Sequence, residues 1–329
     1  MIFFFPYVVL FSFFLFLTAV LVLASSRWVM VWLFLEVNLL IIVPLMIFRK
    51  TVEETESSIK YFLVQVVGRI IILLRTFRVG VQRGFLIGIC IKLGIVPFHF
   101  WVASVLAGVG WEICGVLLTL QKAPLLSLLL YLDNEFCVAL RLIGLLSAIL
   151  GGIIGINQVY FRPLIGYSSI SHIGWLVVFS YRSRGVIWFY FFVYCTIVLG
   201  LVSVINKIKS TSFVNYFWGV NSLYIITFLF SLGGLPPLRG FAAKLVGVVF
   251  LRGESIVLVV FLVLGSLLSL YYYLCISFFF VYQERKFMWF QRHRVRMYES
   301  LLVLMRGGLF FVLIIIFLRL SAVGGVHKS

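Results

Sequence analysis

The sequence predicts an all-α polytopic membrane protein of about eleven transmembrane helices. Three observations predict it. Hydrophobic residues make up 64% of the 329 and charged residues only 11%; the mean hydropathy is +1.20; and apolar runs such as 2–24 and 301–318 approach the roughly 20 residues a helix needs to cross a bilayer. A soluble domain carries about 25% charged residues, so no soluble core accommodates this composition.

In chain order, spans are expected near 2–24, 28–48, 59–77, 85–102, 112–132, 137–155, 163–181, 186–206, 218–251, 255–282 and 300–319, each bounded by charged or Gly/Pro-rich connections. The connections are short, so residues 1–329 read as a single membrane domain. Two spans differ from the rest. The fourth contains Gly94 and Pro97, and the ninth contains Gly233-Gly234-Leu235-Pro236-Pro237, so both helices are expected to be discontinuous. Freed backbone at membrane depth must be buried in protein or line a hydrated cavity. The two broken spans lie five crossings apart and so run in opposite directions, the arrangement of an inverted repeat, and paired interruptions point to a transport path. The plainer reading is that these prolines only set packing kinks. The basic segment 284–299, with Phe287, Trp289 and Phe290 interleaved, reads either as an interfacial helix or as a plain loop.

Lys and Arg outnumber Asp and Glu by 27 to 10. The cations cluster in connections such as Arg49-Lys50, Arg182 to Arg184, Lys207 to Lys209 and Arg285 to Arg296, where anionic lipid head groups such as cardiolipin are the expected partners. No basic stripe belongs to a soluble domain, which argues against nucleic acid. Cys90, Cys114, Cys137, Cys195 and Cys275 form no CxxC, and His99, His172, His293 and His327 form no pair at helical spacing within a span. No metal, cofactor or redox centre is therefore expected in this chain. The N-terminus has neither an Arg- and Ser-rich stretch nor a small-residue cleavage site, so no targeting segment is expected.

Ionisable groups inside apolar spans cost about 2.5–3.5 kcal/mol each at a helix centre. Four stand out: Glu36 in the second span, Lys92 before the first break, Lys122 in the fifth span and Lys244 after the second break. Burial and pairing act in opposite senses on a group's proton affinity, so a carboxylate near such amines makes a switchable proton path. Singly, each charge also reads as a satisfied ion pair or snorkelling tail. Arg69, Arg75 and Arg141 keep their charge and are expected to snorkel or find a partner. His172, beside Ser168, Ser169 and Ser171, is a possible relay or a hydrogen-bonded packing residue.

Several blocks then match a known family in order. They are Trp32-Leu33-Phe34-Leu35-Glu36-Val37-Asn38, the run from Glu56 to Gln65, Lys92 to Trp101, Gln121-Lys122, Asn157-Gln158, Tyr167 to Trp175, and Ser231 to Pro237 leading to Gly240-Phe241 and Lys244. The chain resembles the subunit 2 family of mitochondrial NADH:ubiquinone oxidoreductase, respiratory complex I, whose members are antiporter-like membrane subunits. The likeness spans roughly residues 28–250, the expected antiporter-like core, with C-terminal helices over 251–329. The resemblance implies a proton-translocating membrane-arm subunit of the mitochondrial inner membrane, coupled to NADH-to-ubiquinone electron transfer in other subunits, which hold the flavin mononucleotide, the iron-sulfur clusters and the quinone. It also implies that Glu36 and Lys92 are a coupled pair, Lys122 the central lysine and Lys244 the distal one. The chain departs from the pattern at Leu120, at the short Lys122-Ala123-Pro124, at Ala103-Ser104 and at Arg69, where small residues are usual. Rival readings are a subunit of a multi-subunit cation/proton antiporter and a non-pumping scaffold.

Overall fold

A computed structural model describes residues 6–288 except 49, 78–81, 132–135, 182–183, 209–219, 237 and 252–254. The expected span 300–319, most of the basic segment 284–299, Pro237, His293 and His327 lie outside the described residues, as do the side chains of Arg75 and Cys137.

The described residues form thirteen α-helices: α1 Pro6–Ala24, α2 Trp28–Met46, α3 Val52–Phe77, α4 Gln82–Leu93, α5 Phe100–Gly108, α6 Trp111–Leu118, α7 Lys122–Leu129, α8 Cys137–Ile156, α9 Phe161–Phe179, α10 Arg184–Ile208, α11 Val220–Gly233, α12 Arg239–Phe250 and α13 Ile256–Met288. Five stretches, Trp28–Met46, Trp111–Leu129, Val138–Ile156, Arg184–Lys207 and Ile256–Phe280, are each long and apolar enough to cross a membrane. The distribution of side chains suits that solvent. Large apolar residues such as Phe13, Phe16, Leu40, Phe192, Leu267 and Phe278 stand on the outside, while Lys92, Lys122, Lys244, His172, Arg69 and Gln65 are buried. In water this pattern would be costly; in lipid the outer face needs no polar atoms.

Both expected interruptions are present and close in the same way. Just past α4 stands Gly94 with φ +68° and just past α11 Gly234 with φ +82°, a left-handed conformation that only glycine adopts without strain. Ile95 N–H then reaches back to the Cys90 carbonyl at 3.1 Å, and Leu235 N–H to that of Phe230 at 3.1 Å, the closure of a Schellman cap. A third interruption, which the breaker residues of the fourth and ninth spans did not suggest, divides the fifth span at Thr119–Gln121, between α6 and α7. There the Gln121 N–H bonds the Val116 carbonyl at 3.2 Å, the wide i→i+5 spacing of a π-type turn. Pro124 explains it. Its ring has no N–H and collides with the carbonyl four residues earlier, which is that of Leu120.

Small residues set the packing. α8 packs most extensively with α9 and on its other side with α13. A Cβ at Gly144 would lie 2.9 Å from the Gly174 carbonyl oxygen, one at Gly151 2.7 Å from the Ser171 nitrogen, and one at Gly152 2.8 Å from Leu268 Cβ. Membrane helices approach this closely where dispersion between backbones replaces the hydrophobic drive. The arrangement holds α9, with His172, against the centre of the bundle.

Candidate functional site

Lys92 is the penultimate residue of α4, and its stem crosses α3 at Gly68, where a Cβ would meet Lys92 Cγ at 2.8 Å. The carbonyls freed at this break are taken by side chains: Gln65 Nε2 donates to the Lys92 carbonyl at 3.3 Å and Trp101 Nε1 to that of Ile91 at 3.0 Å. Glu36, on α2, forms an ion pair with Arg69 of α3. No ion pair forms between Glu36 and Lys92, although both Glu36 and Arg69 lie within electrostatic reach of that lysine. The carboxylate that the family resemblance couples to Lys92 thus has an arginine as its contact partner, and Arg69 is buried where a snorkelling side chain would reach for the interface.

Lys122 is the first residue of α7, at the third break. Lys92 and Lys122 line one cavity of about 30 Å³, together with Tyr61, Gln65, Trp101 and Gln121. Since a water needs about 10–15 Å³ of such space, the two amines share room for a short chain of water. Gln121 Nε2 donates to Asn38 Oδ1 at 2.6 Å, tying the broken segment to α2, two residues from Glu36. The Lys122 ammonium stands 5.6 Å from the centre of the Tyr194 ring, and among the described residues its Nζ has no hydrogen-bond partner. A buried polar atom in that state points to water.

Beyond Tyr194 lies His172 of α9, its Nδ1 2.8 Å from the Tyr190 hydroxyl and its ring 5.2 Å from that of Tyr194. His172 lies within electrostatic reach of both Lys122 and Lys244. Lys244, on α12, turns back to the second break and donates to the carbonyls of Gly233 at 2.7 Å and Leu232 at 3.3 Å. These are the last carbonyls of α11, the negative end of a helix dipole. Gly234 leaves the space for it, because a Cβ there would lie 2.9 Å from Lys244 Cδ. Gly240 brings α12 against the Ser231 carbonyl, which a Cβ would overlap. Pro236 occupies the turn between them, and Pro97 follows a cis peptide bond in the first break.

Glu36, Lys92, Lys122, Lys244 and His172 thus sit in the interior or at its edge, Glu36 being the most open with a side chain 24% exposed, while Pro97 and Pro236 of the two breaks are exposed. Among the described residues no group of three or more His, Cys, Asp or Glu is arranged to hold a metal. Sequence reasoning passed over Tyr190, Tyr194, Gln65 and Asn38 as site residues. The available signal was the i, i+4 spacing of the two tyrosines, which puts both on one face of α10. Arg141, expected to snorkel or find a partner, stands 4.7 Å over the Tyr181 ring. Ser104 opens onto a cleft of about 490 Å³ with Glu53, Glu56 and Lys60, where the Lys60 ammonium, 2.5 Å from Glu56, holds that exposed carboxyl below its usual range.

The chain is similar to known proteins in sequence and in fold. The family of NADH:quinone oxidoreductase and Mrp antiporter transmembrane subunits matches residues 25–84 and 76–269. NADH-ubiquinone oxidoreductase chain 2 of Lumbricus terrestris is 32% identical over 277 residues, 79% of this chain and 82% of that relative. The corresponding protein of Branchiostoma floridae is 34% identical over 299 residues, 83% of this chain and 86% of that relative. The chain belongs to the NADH-ubiquinone oxidoreductase chain 2 family. Two solved assemblies contain chains of similar fold. In respiratory complex I from Thermus thermophilus one chain aligns with a TM-score of 0.72 at 23% identity, covering 80% of this chain and 67% of that one. In the Mrp complex of a Dietzia species the score is 0.71 at 17% identity, covering 79% and 57%. The residues matched by the NADH:quinone oxidoreductase and Mrp antiporter family hold Glu36, Lys92, Lys122, His172 and Lys244.

Proposed function

We propose that this chain works as the proton-translocating chain 2 subunit in the membrane arm of NADH:ubiquinone oxidoreductase, in the mitochondrial inner membrane. Its partners are the other membrane-arm subunits and anionic lipids such as cardiolipin. The flavin mononucleotide, iron-sulfur clusters and ubiquinone belong to other subunits, and electron transfer there drives proton movement here. One observation carries the reading: three buried amines stand at three helix breaks, and two of them share a cavity with room for water.

In this reading Glu36 is the input. A change in its pairing alters the field at Lys92, whose proton then passes through the cavity to Lys122 and, by water and His172 beside Tyr190 and Tyr194, toward Lys244. Proton transfer of this kind needs donors and acceptors about 2.6–3.2 Å apart or joined by one water. Lys244 is held by two backbone carbonyls, which suits a terminal site where the ammonium is stabilised until water reaches it.

The test is NADH-driven pumping by the assembled complex in vesicles. Lys92→Met and Lys122→Met are each expected to lower the protons moved per electron pair, or to slow quinone reduction in step with pumping, while the complex still assembles. An unchanged proton-to-electron ratio at unchanged rate in both variants removes the chain from the pumping path and leaves it a scaffold.

A further inference from the structure

Arg69 is a buried intramembrane charge that the relay does not use. It lies on α3, four residues after Gln65 and next to Gly68, so it flanks the stretch of helix that the Lys92 stem crosses. It is 8% exposed, and a guanidinium keeps its charge at any physiological pH, so at that depth it needs an anion. The carboxylate it has found is Glu36. One carboxylate therefore serves two cations. Among the described residues, the charged and titratable groups that act on Lys92 or line its cavity are Glu36 on α2, Tyr61 and Arg69 on α3, and Lys122 on α7, and Glu36 is the carboxylate of that set.

We propose that Arg69 is the counter-cation of Glu36 and a positioning residue of the relay, holding the carboxylate away from Lys92 so that Glu36 has two alternative partners. The proposal rests on the relay reading above. When Glu36 stays with Arg69, Lys92 has no anion in contact and its proton is the easier to release. When Glu36 turns to Lys92, that proton is held and Arg69 stands unpaired. The partly open Glu36 side chain, 24% exposed against 10% for Arg69, is the member of the pair with room to turn. The arginine thus biases the input toward release, a setting that a small residue at position 69 would not give.

The experiment compares the assembled, vesicle-reconstituted complex carrying Glu36→Gln, Arg69→Ser, the double substitution and Arg69→Lys. Glu36→Gln alone is expected to lower the amount of assembled complex several-fold, because an unpaired buried charge is left, and the double substitution to restore it. In Arg69→Ser the alkaline limb of the pumping-against-pH profile moves up by about one unit, since a neighbouring charge acts at this scale. Arg69→Lys keeps the wild-type profile. Strictly additive losses in the double variant overturn the pairing, and so does equal failure of single and double variants to assemble. A profile unchanged in Arg69→Ser leaves an ordinary structural ion pair and overturns the positioning role. Either result leaves the Lys92→Met outcome untouched, so failure here is distinct from failure of the pumping assignment.

Discussion

Each of the three lysines replaces its lost water shell differently. Lys244 uses backbone carbonyls at the end of α11, Lys92 borders a cavity, and Lys122 stands over the Tyr194 ring, whose face attracts a cation by about 0.5–2 kcal/mol. His172 depends on a single hydroxyl at 2.8 Å from Tyr190. Tyr190→Phe removes that bond without changing the packing, and is expected to destabilise the subunit by about 0.5–1.5 kcal/mol. It should also slow pumping, read as proton flux at saturating NADH, whereas an unchanged flux would make His172 a packing residue. At this scale the sequence exposed the charged residues, because charge in an apolar run is conspicuous. It did not expose their partners. Glu36 and Arg69 lie on different helices, and no spacing rule links residues that meet only through packing.

Helix breaks are the elements that put these side chains inside. A half-helix ends with unsatisfied carbonyls, and in this bundle Trp101, Gln65 and Lys244 supply the donors. Gly234→Ala would force a side chain into φ +82° and against the Lys244 stem, for a cost of about 1–2 kcal/mol from the backbone alone. The expected result is a lower melting temperature for the purified complex together with weakened pumping. Gly185→Ala is the matched control: nothing lies within 4 Å of the added Cβ, and the substitution in the first turn of α10 is expected to stabilise by about 0.4–1 kcal/mol. Equal melting temperatures for the two variants would show that the left-handed glycine is dispensable. The glycine and proline breaks were legible because those residues punctuate local structure. The break before Lys122 carried a weaker mark, Pro124, whose effect falls four residues upstream and is easily read as a permitted helix-start proline.

Across the described residues, many large apolar side chains stand outermost while Lys92, Lys122, Lys244, His172 and Gln65 are buried within. A path through such an interior depends on volume as much as on charge. Val105 is fully buried and lines the cavity between Lys92 and Lys122. Val105→Phe fills it, at about 1–3 kcal/mol of overpacking, and is expected to lower proton flux severalfold with every ionisable residue intact. Val105→Ala, which enlarges the cavity, should preserve flux, and equal flux in both would exclude this cavity from the route. By itself the sequence determined the solvent, the all-helical class, the family and which residues carry charge, because hydropathy, breaker residues and motif order are local properties of the chain. Only the tertiary structure decided that Glu36 meets Arg69, that Lys92 and Lys122 share one cavity and that tyrosines bridge toward His172. Those relations come from helices packed side by side, where glycines leave no room for a Cβ against the neighbouring helix and local sequence carries no record of the neighbour.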